Sequence, residues 1–196
     1  MHYIGLTGRS GSGKTVVASV AEELKIPVLD CDALYRRLTE RPTPLLEEIA
    51  ARFGPEAAGG GKLNRAYLRE IVFREEEKRE ELDALTGRFM RGFLEDLAAS
   101  AHGIDLLLLD APTLFQTGLQ DLCTRVVCVL SEDEECVRRI VRRDGICVED
   151  AVLRLKNQPS NEFFRAHGTD ILMNNGTEHD FRHEARKLLR ILRRMP

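Results

Sequence analysis

The segment GRSGSGKT at residues 8–15 constrains this chain more strongly than any other part of its sequence. It follows the apolar run at residues 3–6 and precedes a stretch compatible with a helix. In the pattern G-x-x-x-x-G-K-[ST], a strand leads into a loop whose glycines expose successive backbone N–H groups, and the next helix adds its positive N-terminus. The sequence therefore predicts a phosphate-binding loop that holds a nucleoside triphosphate.

The residues of this loop have distinct expected roles. Its three glycines permit backbone dihedral angles, and close approaches to phosphate, that a Cβ would obstruct. Lys14 is expected to bridge the β- and γ-phosphates, and the Thr15 hydroxyl is expected to ligate Mg²⁺. The nucleotide-binding set that we predict, which includes two residues from later in the chain, is Gly8, Gly11, Ser12, Gly13, Lys14, Thr15, Val16, Arg143 and Asn175.

The composition is that of an ordinary globular protein. The 196 residues, of which 43% are hydrophobic, predict a single domain with a small inserted subdomain. The net charge of -3 argues against binding to nucleic acid or to a membrane surface through bulk charge. No apolar run approaches the roughly 20 residues that span a bilayer, and the N-terminus enters a strand rather than a signal sequence. We expect a cytoplasmic protein that is a monomer or a weak homo-oligomer.

Short apolar runs separated by helical patterns predict an α/β fold. Runs of this kind are typical of parallel strands that are covered on both faces. The predicted strands lie at 3–6, 26–29, 104–109, 125–130 and 171–173, and the predicted helices at 14–24, 43–53, 65–73, 75–99, 132–143, 148–156 and 180–195. The sequence therefore predicts a doubly wound, five-stranded parallel sheet flanked by helices.

The block between the second and third predicted strands, residues 33–100, is too long for a simple crossover. We predict an inserted helical subdomain there, of the kind that binds the phosphoryl acceptor in a kinase. Within it, the glycine-rich segment 57–62 is expected to be a flexible surface loop.

Acidic residues follow two of the predicted strands. Asp30 and Asp32 emerge at the carboxyl edge of the sheet, where ligands of open α/β sheets bind. One of them can act as the base that deprotonates an attacking hydroxyl, and either can cap the helix that starts near Ala33. Asp110 ends the third strand, and two roles remain open for it: a ligand of Mg²⁺, or a cap of the following turn.

Two further segments have the composition of a nucleotide-kinase site. The arginine-dense stretch 138–143 is followed by Gly145, and it predicts a mobile cationic lid over residues 138–168; a solvated basic helix face is the alternative. The NNG segment at 174–176 follows the last strand, where it either contacts an adenine edge or forms a purely structural turn.

Read in order, these segments resemble the dephospho-coenzyme A kinase family over nearly the whole chain. The matching segments are LTG at 6–8 with the loop that follows, VLDCDA at 28–33, FG at 53–54, KLNR at 62–65 with Leu68 and Val72-Phe73, DAPTLFQTGL at 110–119, RD at 143–144, Gln158, and NNG at 174–176. The resemblance implies a phosphate-loop kinase core with a helical acceptor-binding domain and a lid. It also implies transfer of the ATP γ-phosphate to the ribose 3′-hydroxyl of dephospho-coenzyme A.

The resemblance also implies roles for single residues. Asp32 matches the carboxylate taken as the general base, and Arg65 falls in the acceptor-binding segment. With ATP and Mg²⁺ as ligands, the predicted site comprises the catalytic residues Asp32, Lys14, Arg139 and Arg143, the acceptor-binding residues Asp32, Arg65, Pro112 and Leu114, and the metal ligands Thr15 and Asp110.

The chain departs from the family pattern mainly on the acceptor side. Thr86-Gly87-Arg88 stands where the family usually has a His-Pro pair, Thr113 and Gln116 replace leucine and glutamate, and Gly168-Thr169 replaces Ala-Asp. Three outcomes are open: an ordinary member of a divergent lineage; a paralogue that phosphorylates another hydroxyl, as nucleoside monophosphate or shikimate kinases do; or an ATP-binding switch without transfer activity. The presence of Lys14, Thr15 and Asp32 argues against the switch, because these residues serve the transition state more than binding alone.

Overall fold

The computed structural model describes residues 1–101 and 103–195, and its centre is a five-stranded parallel sheet flanked by helices. The strands are β1 (His2–Thr7), β2 (Val28–Asp30), β3 (Leu106–Asp110), β4 (Cys123–Leu130) and β5 (Asp170–Met173). They lie in the order β2-β3-β1-β4-β5. This confirms the predicted fold class and all five predicted strands.

The strands form where the sequence is almost continuously apolar. β1 is buried from Tyr3 onward, and β3 reads LLLLD with its three central residues buried. Such runs suit a sheet that is covered on both faces. In register, Leu6 of β1 pairs with Asp110 of β3 and with Val127 of β4, so the carboxyl ends of these strands meet where the chain enters residues 8–15.

Nine α-helices complete the described part of the chain: α1 (Lys14–Glu23), α2 (Cys31–Thr39), α3 (Pro44–Phe53), α4 (Arg65–Arg74), α5 (Glu76–Ser100), α6 (Asp133–Asp144), α7 (Val148–Lys156), α8 (Asn161–His167) and α9 (Glu178–Leu192). α8 was not among the predicted helices. It has only seven residues, and it begins after Ser160, whose hydroxyl accepts a hydrogen bond from the Phe163 N–H at 3.3 Å.

The segment expected to be a flexible loop at 57–62 is instead mostly a 3-10 segment, Pro55–Gly61, with non-helical dihedral angles at Ala58, Gly59 and Gly60. Ala57 is fully buried, and its carbonyl accepts a hydrogen bond from the Asn64 N–H at 2.8 Å. The glycines allow the chain to turn, while the buried alanine ties the base of that turn to the core.

The chain divides into two compact units. The first, here called the sheet unit, comprises residues 1–29, 103–112 and 123–195, and α1 and α9 pack on its strands around Ile4, Leu6, Leu108, Val127 and Leu189. The second, the helical unit, comprises residues 30–101 and 113–122, with a separate core that includes Leu45, Ile49, Phe53, Leu68 and Leu85. The helical unit contains the predicted 33–100 insertion and adds a short later segment to it.

No helix in the described ranges is both long enough and apolar enough to cross a membrane.

Candidate active site

The glycines of residues 8–15 adopt conformations that other residues rarely take. The φ angles of Gly8, Gly11 and Gly13 are 139°, 77° and 110°. A Cβ added at these positions would lie 2.2 Å from the Val129 carbonyl oxygen, 2.5 Å from the Cys136 carbonyl oxygen and 2.2 Å from Asn174 Nδ2, respectively. Both the backbone and its neighbours therefore require glycine at all three positions.

The loop leads directly into the N-terminus of α1. Gly13 is the N-cap of this helix and, being glycine, supplies no capping side chain. The Lys14 ammonium donates to the carbonyl oxygens of Gly8 at 2.7 Å and Arg9 at 3.0 Å, which places it across the mouth of the loop. Thr15, in the first turn of α1, is exposed.

Side chains from α6 and from the end of β5 hold the loop through its carbonyl groups. The Arg139 guanidinium donates to the carbonyl oxygens of Gly11 at 3.2 Å and Asn174 at 3.0 Å. Asn174 is buried, and its Nδ2 donates to the Ser12 carbonyl at 2.7 Å. Arg139 thus supports the loop in this structure, and its predicted direct contact with a transferred phosphate stays a prediction.

Arg143, the other arginine predicted to be catalytic, reaches residues 8–15 from the end of α6. Its Nη2 donates to Ser10 Oγ at 3.3 Å, and its Nε donates to Asp144 Oδ1 at 2.7 Å. Asp144 is also ion-paired with Arg154 of α7. The hydrogen bond from Arg143, together with Arg154, lowers the pKa of Asp144 to about 2. Asp144 therefore joins two arginines of the predicted lid segment, Arg143 and Arg154.

Asn175, predicted to contact the nucleotide, uses both ends of its carboxamide locally. Its Oδ1 accepts from the Glu132 N–H at 3.0 Å, and its Nδ2 donates to Glu132 Oε1 at 3.1 Å. These bonds fix the turn before α6. A contact with adenine stays a prediction, and it could involve either the backbone of residues 174–176 or the Asn175 side chain.

The end of β3 lies beside the strand that enters the loop. Asp110 pairs in register with Leu6, and the Pro112 carbonyl accepts a hydrogen bond from Thr7 Oγ1 at 3.4 Å. This register brings the predicted metal ligand Asp110 to the same edge of the sheet as the phosphate loop.

The two aspartates after β2 have different positions at the start of α2. Asp30 is the N-cap, and its Oδ1 accepts from the Ala33 N–H at 2.8 Å. Asp32 lies exposed in the first turn. The structure therefore gives the capping role to Asp30, and the role of Asp32 as a base stays a prediction.

Arg65, at the start of α4, lies against two residues of α2. Its guanidinium carbon is 5.6 Å from the centre of the Tyr35 ring, and its Nη2 is 3.4 Å from Thr39 Oγ1. Burial raises the pKa of Tyr35, and the nearby Arg65 charge opposes that shift. Asp32, Tyr35 and Thr39 are spaced i, i+3 and i+7, so they lie on one face of α2. Arg65 lies over the part of this face formed by Tyr35 and Thr39.

Leu114, predicted to bind the acceptor, is fully buried in the helical unit. Its carbonyl accepts hydrogen bonds from the Leu119 N–H at 3.1 Å and from Thr117 Oγ1 at 3.2 Å. Because the leucine side chain has no exposed surface, its role in this structure is to pack residues 113–122.

Two positions at which the chain departs from the family pattern are glycines for steric reasons. A Cβ at Gly87 would lie 1.9 Å from the Thr117 carbonyl oxygen, and a Cβ at Gly168 would lie 2.6 Å from Cys128 Sγ. The first contact brings α5 against residues 113–122, and the second brings the end of α8 against β4. At both positions, glycine therefore permits a close approach between two segments that a side chain would prevent.

The sequence analysis missed three residues that hold the loop. Arg9 occupies an unspecified position of the loop motif, yet it is buried and ion-paired with Asp133. Ser131 donates to the Asn174 carbonyl at 2.8 Å. Asn174 was predicted only as part of the segment 174–176, either in contact with an adenine edge or in a structural turn, and not as a support of the loop. The motif gives no signal for these residues because their partners are far away in the sequence.

The loop fits a polyphosphate. Ser12 Oγ is buried without a hydrogen-bond partner among the described residues, which is unusual unless a ligand or water satisfies it. Mg²⁺ usually takes one or two protein oxygens together with substrate phosphates. The Thr15 hydroxyl and the Asp110 carboxylate are donors of that kind, and the described residues contain no group of three or more His, Cys, Asp or Glu arranged to hold a metal.

Comparisons with known proteins agree with this geometry. The model of the family described as dephospho-CoA kinase matches residues 2–180. A dephospho-CoA kinase from Corynebacterium diphtheriae is 38% identical over 193 residues, which are 96% of each chain. A crystal structure from Thermus thermophilus is 32% identical with a TM-score of 0.78 and covers 100% of this chain and 98% of its own. Shikimate kinase from Acinetobacter baumannii, at 17% identity and a TM-score of 0.54 over 98% and 93% of the two chains, is similar in fold alone.

Proposed function

This chain belongs to the dephospho-CoA kinase family, and we propose that it transfers the γ-phosphate of ATP to the 3′-hydroxyl of dephospho-coenzyme A, the final step of coenzyme A synthesis. The observation that carries the proposal is the phosphate loop. Its three glycines hold conformations and close approaches that exclude any side chain, and Lys14 lies across its mouth.

In the proposed reaction, the loop amides and Lys14 hold the β- and γ-phosphates of ATP and balance the charge that moves onto the leaving oxygen. Asp32 accepts the proton of the acceptor hydroxyl as that oxygen attacks the γ-phosphorus. Arg143 lies beside Ser10 of the loop, where a cation stabilises the transferring group. When bound, Mg²⁺ supplies further charge neutralisation on the phosphates, with the Thr15 hydroxyl and the Asp110 carboxylate as its proposed protein ligands.

Acceptor contacts or packing are proposed for Arg65 and Leu114 of the helical unit and for Pro112, which follows β3. The guanidinium of Arg65 suits the phosphate groups that dephospho-coenzyme A carries. We also propose that the enzyme works in the cytoplasm as a monomer or weak homo-oligomer. Phosphorylation of shikimate or of a nucleoside monophosphate is not favoured, because the family match covers nearly all of the chain and the likeness to shikimate kinase is one of fold.

The test is production of ADP by the purified protein with Mg²⁺, ATP and dephospho-coenzyme A, with mass spectrometry of the product. We expect acceptor-dependent turnover and a product that is one phosphoryl group heavier at the 3′ position. The substitution Lys14→Ala should abolish this turnover. ATP binding without turnover of this acceptor would contradict the proposal and favour the paralogue or the switch.

The aspartate pair gives a matched test of the base. Asp32→Asn should lower turnover by orders of magnitude and leave ATP affinity largely intact. Asp30→Asn should keep turnover close to that of the wild type, because asparagine caps a helix about as well as aspartate does. If the two variants behaved the other way round, the assignment of the base would be reversed.

Arg65→Ala tests the acceptor side. We expect a higher apparent KM for dephospho-coenzyme A with little change in the KM for ATP. An effect confined to ATP would remove Arg65 from the acceptor site.

A further inference from the structure

One peptide group of the phosphate loop, the group between Arg9 and Ser10, is held from both sides. Its carbonyl oxygen, that of Arg9, accepts a hydrogen bond from the Lys14 ammonium at 3.0 Å. Its N–H, that of Ser10, donates to the side-chain oxygen Oε1 of Gln158 at 2.9 Å. A planar trans peptide turns as one body, with its N–H and its carbonyl pointing in opposite directions. The Arg9 carbonyl also accepts a hydrogen bond from the Ser12 N–H at 3.2 Å, and the bond to Gln158 fixes the other end of the same peptide group, so it contributes to the direction of the carbonyl that Lys14 uses.

The structure also fixes Gln158 in place. It follows α7 closely, and its N–H donates to the Leu155 carbonyl at 3.1 Å. The same carbonyl accepts from Arg9 Nη2 at 2.9 Å. Arg9 is buried and is ion-paired with Asp133 at the start of α6. The end of α7 is thus bound to the first two variable residues of the loop at both the Arg9 side chain and the Ser10 amide.

We propose that Gln158 is a positioning residue for phosphoryl transfer: through the Arg9–Ser10 peptide, its carboxamide oxygen sets the position of Lys14. Gln158 touches the loop backbone and acts on the substrate only through it. The inference rests on the proposed function, in which Lys14 binds the β- and γ-phosphates of ATP. It also connects the predicted lid segment to the lysine, because Gln158 and the preceding helix α7 both lie within residues 138–168.

Gln158→Met removes the acceptor oxygen and keeps a side chain of similar length. We expect kcat to fall about tenfold, which corresponds to about 1.4 kcal/mol, with the KM for dephospho-coenzyme A unchanged. The control is Asn157→Ala, which alters the neighbouring exposed residue at the end of α7 and should leave kcat within twofold of the wild type. Thermal unfolding of both variants checks that they fold.

Hydrogen exchange of the Ser10 amide, followed by NMR without nucleotide, reports on the bond directly. Exchange at Ser10 should accelerate in Gln158→Met, and protection should return in Gln158→Glu, which keeps an acceptor oxygen at the same reach. The exchange rates of amides inside α7 should be the same in the wild type, Gln158→Met and Gln158→Glu. A structural role alone would instead change the exchange of α7 as a whole.

A Gln158→Met enzyme with wild-type kcat would overturn the proposal, as would a loss of kcat with unchanged exchange at Ser10 or an equal loss in Asn157→Ala. If Gln158→Met failed to fold, Gln158→Ala would be measured in the same way. If the wild type did not phosphorylate dephospho-coenzyme A, the proposed function would fail separately. The positioning role would then be decided by exchange at Ser10 and by ATP affinity, which should fall in Gln158→Met and not in Asn157→Ala.

Discussion

Gly13 shows how a single residue serves both the loop and the helix that follows it. Its φ angle of 110° is costly for any residue with a Cβ, and a Cβ there would lie 2.2 Å from Asn174 Nδ2. Gly13→Ala should therefore push Asn174 away from the Ser12 carbonyl. We expect a loss of about 2 kcal/mol in the free energy of unfolding, from backbone strain of 1–3 kcal/mol, and at least a tenfold weaker affinity for ATP. Chemical denaturation and calorimetric titration measure the two quantities.

Gly59→Ala is the matched control for this change. Gly59 has a negative φ of -57°, and a Cβ there would meet no atom of the described residues within 4 Å. The same glycine-to-alanine substitution should therefore change neither stability nor ATP affinity appreciably. If Gly13→Ala bound ATP as well as Gly59→Ala does, the steric argument for the loop would be wrong.

At the same scale, the site was predictable where a motif specifies both residue type and spacing, as at Lys14 and the loop glycines. It was not predictable where a side chain crosses to a distant part of the chain. The Arg9 bond to Leu155 and the Asn174 bond to Ser12 join residues that are 146 and 162 positions apart. No local pattern records such a pairing, because either residue alone reads as an ordinary loop position.

Among the elements, α5 provides two glycines with opposite surroundings. A Cβ at Gly87 would lie 1.9 Å from the Thr117 carbonyl oxygen, whereas a Cβ at Gly92 would have no neighbour within 4 Å in the part of the chain that the structure describes. Alanine favours a helix by about 1 kcal/mol over glycine, and overpacking costs about 1–3 kcal/mol or more. Gly92→Ala should therefore stabilise the protein by up to about 1 kcal/mol, and Gly87→Ala should destabilise it by about 2 kcal/mol.

Denaturant unfolding of the two variants gives the comparison on one helix. Stabilisation by both substitutions would show that residues 113–122 can move away from α5 at little cost. That result would remove the steric account of Gly87.

The pairing of α6 with α7 has a pH dependence that follows from Asp144. Its pKa in the folded protein is about 2, below the ordinary value near 4, because Arg143 and Arg154 bind its carboxylate. A lowered pKa means that this contribution to stability is complete above pH 4 and is lost as the pH falls toward 2. The melting temperature of the wild type should exceed that of Asp144→Asn at pH 6, and the difference should shrink between pH 4 and pH 3.

Thermal unfolding across this pH range measures that difference. Glu149→Gln, an exposed acidic residue in the first turn of α7, is the control for removing one charge. A difference between wild type and Asp144→Asn that stayed constant down to pH 3 would mean that the ion pairs do not set the pKa.

At the scale of the whole molecule, the sheet was predictable because buried parallel strands read as apolar runs in any protein. The division into two units was only partly predictable from the sequence. The length of the block at 33–100 predicts an insertion, but residues 113–122 belong to the helical unit through packing rather than sequence order, as at the close approach of Gly87 to Thr117. Packing between distant segments has no periodicity that a sequence can reveal.

Each unit has its own apolar core, so we predict that the two units open separately in native conditions. ADP contacts the phosphate loop of the sheet unit in the proposed function, and at 100 times its Kd it stabilises the state that binds it by about 2.7 kcal/mol. Hydrogen exchange followed by mass spectrometry should then show about 100-fold slower exchange in β1 and α1. Exchange in α3 and α4 should stay unchanged. In Lys14→Ala, which weakens phosphate binding, exchange should not slow at the same ADP concentration. Equal slowing of exchange in both units of the wild type would mean that the molecule opens as one cooperative body.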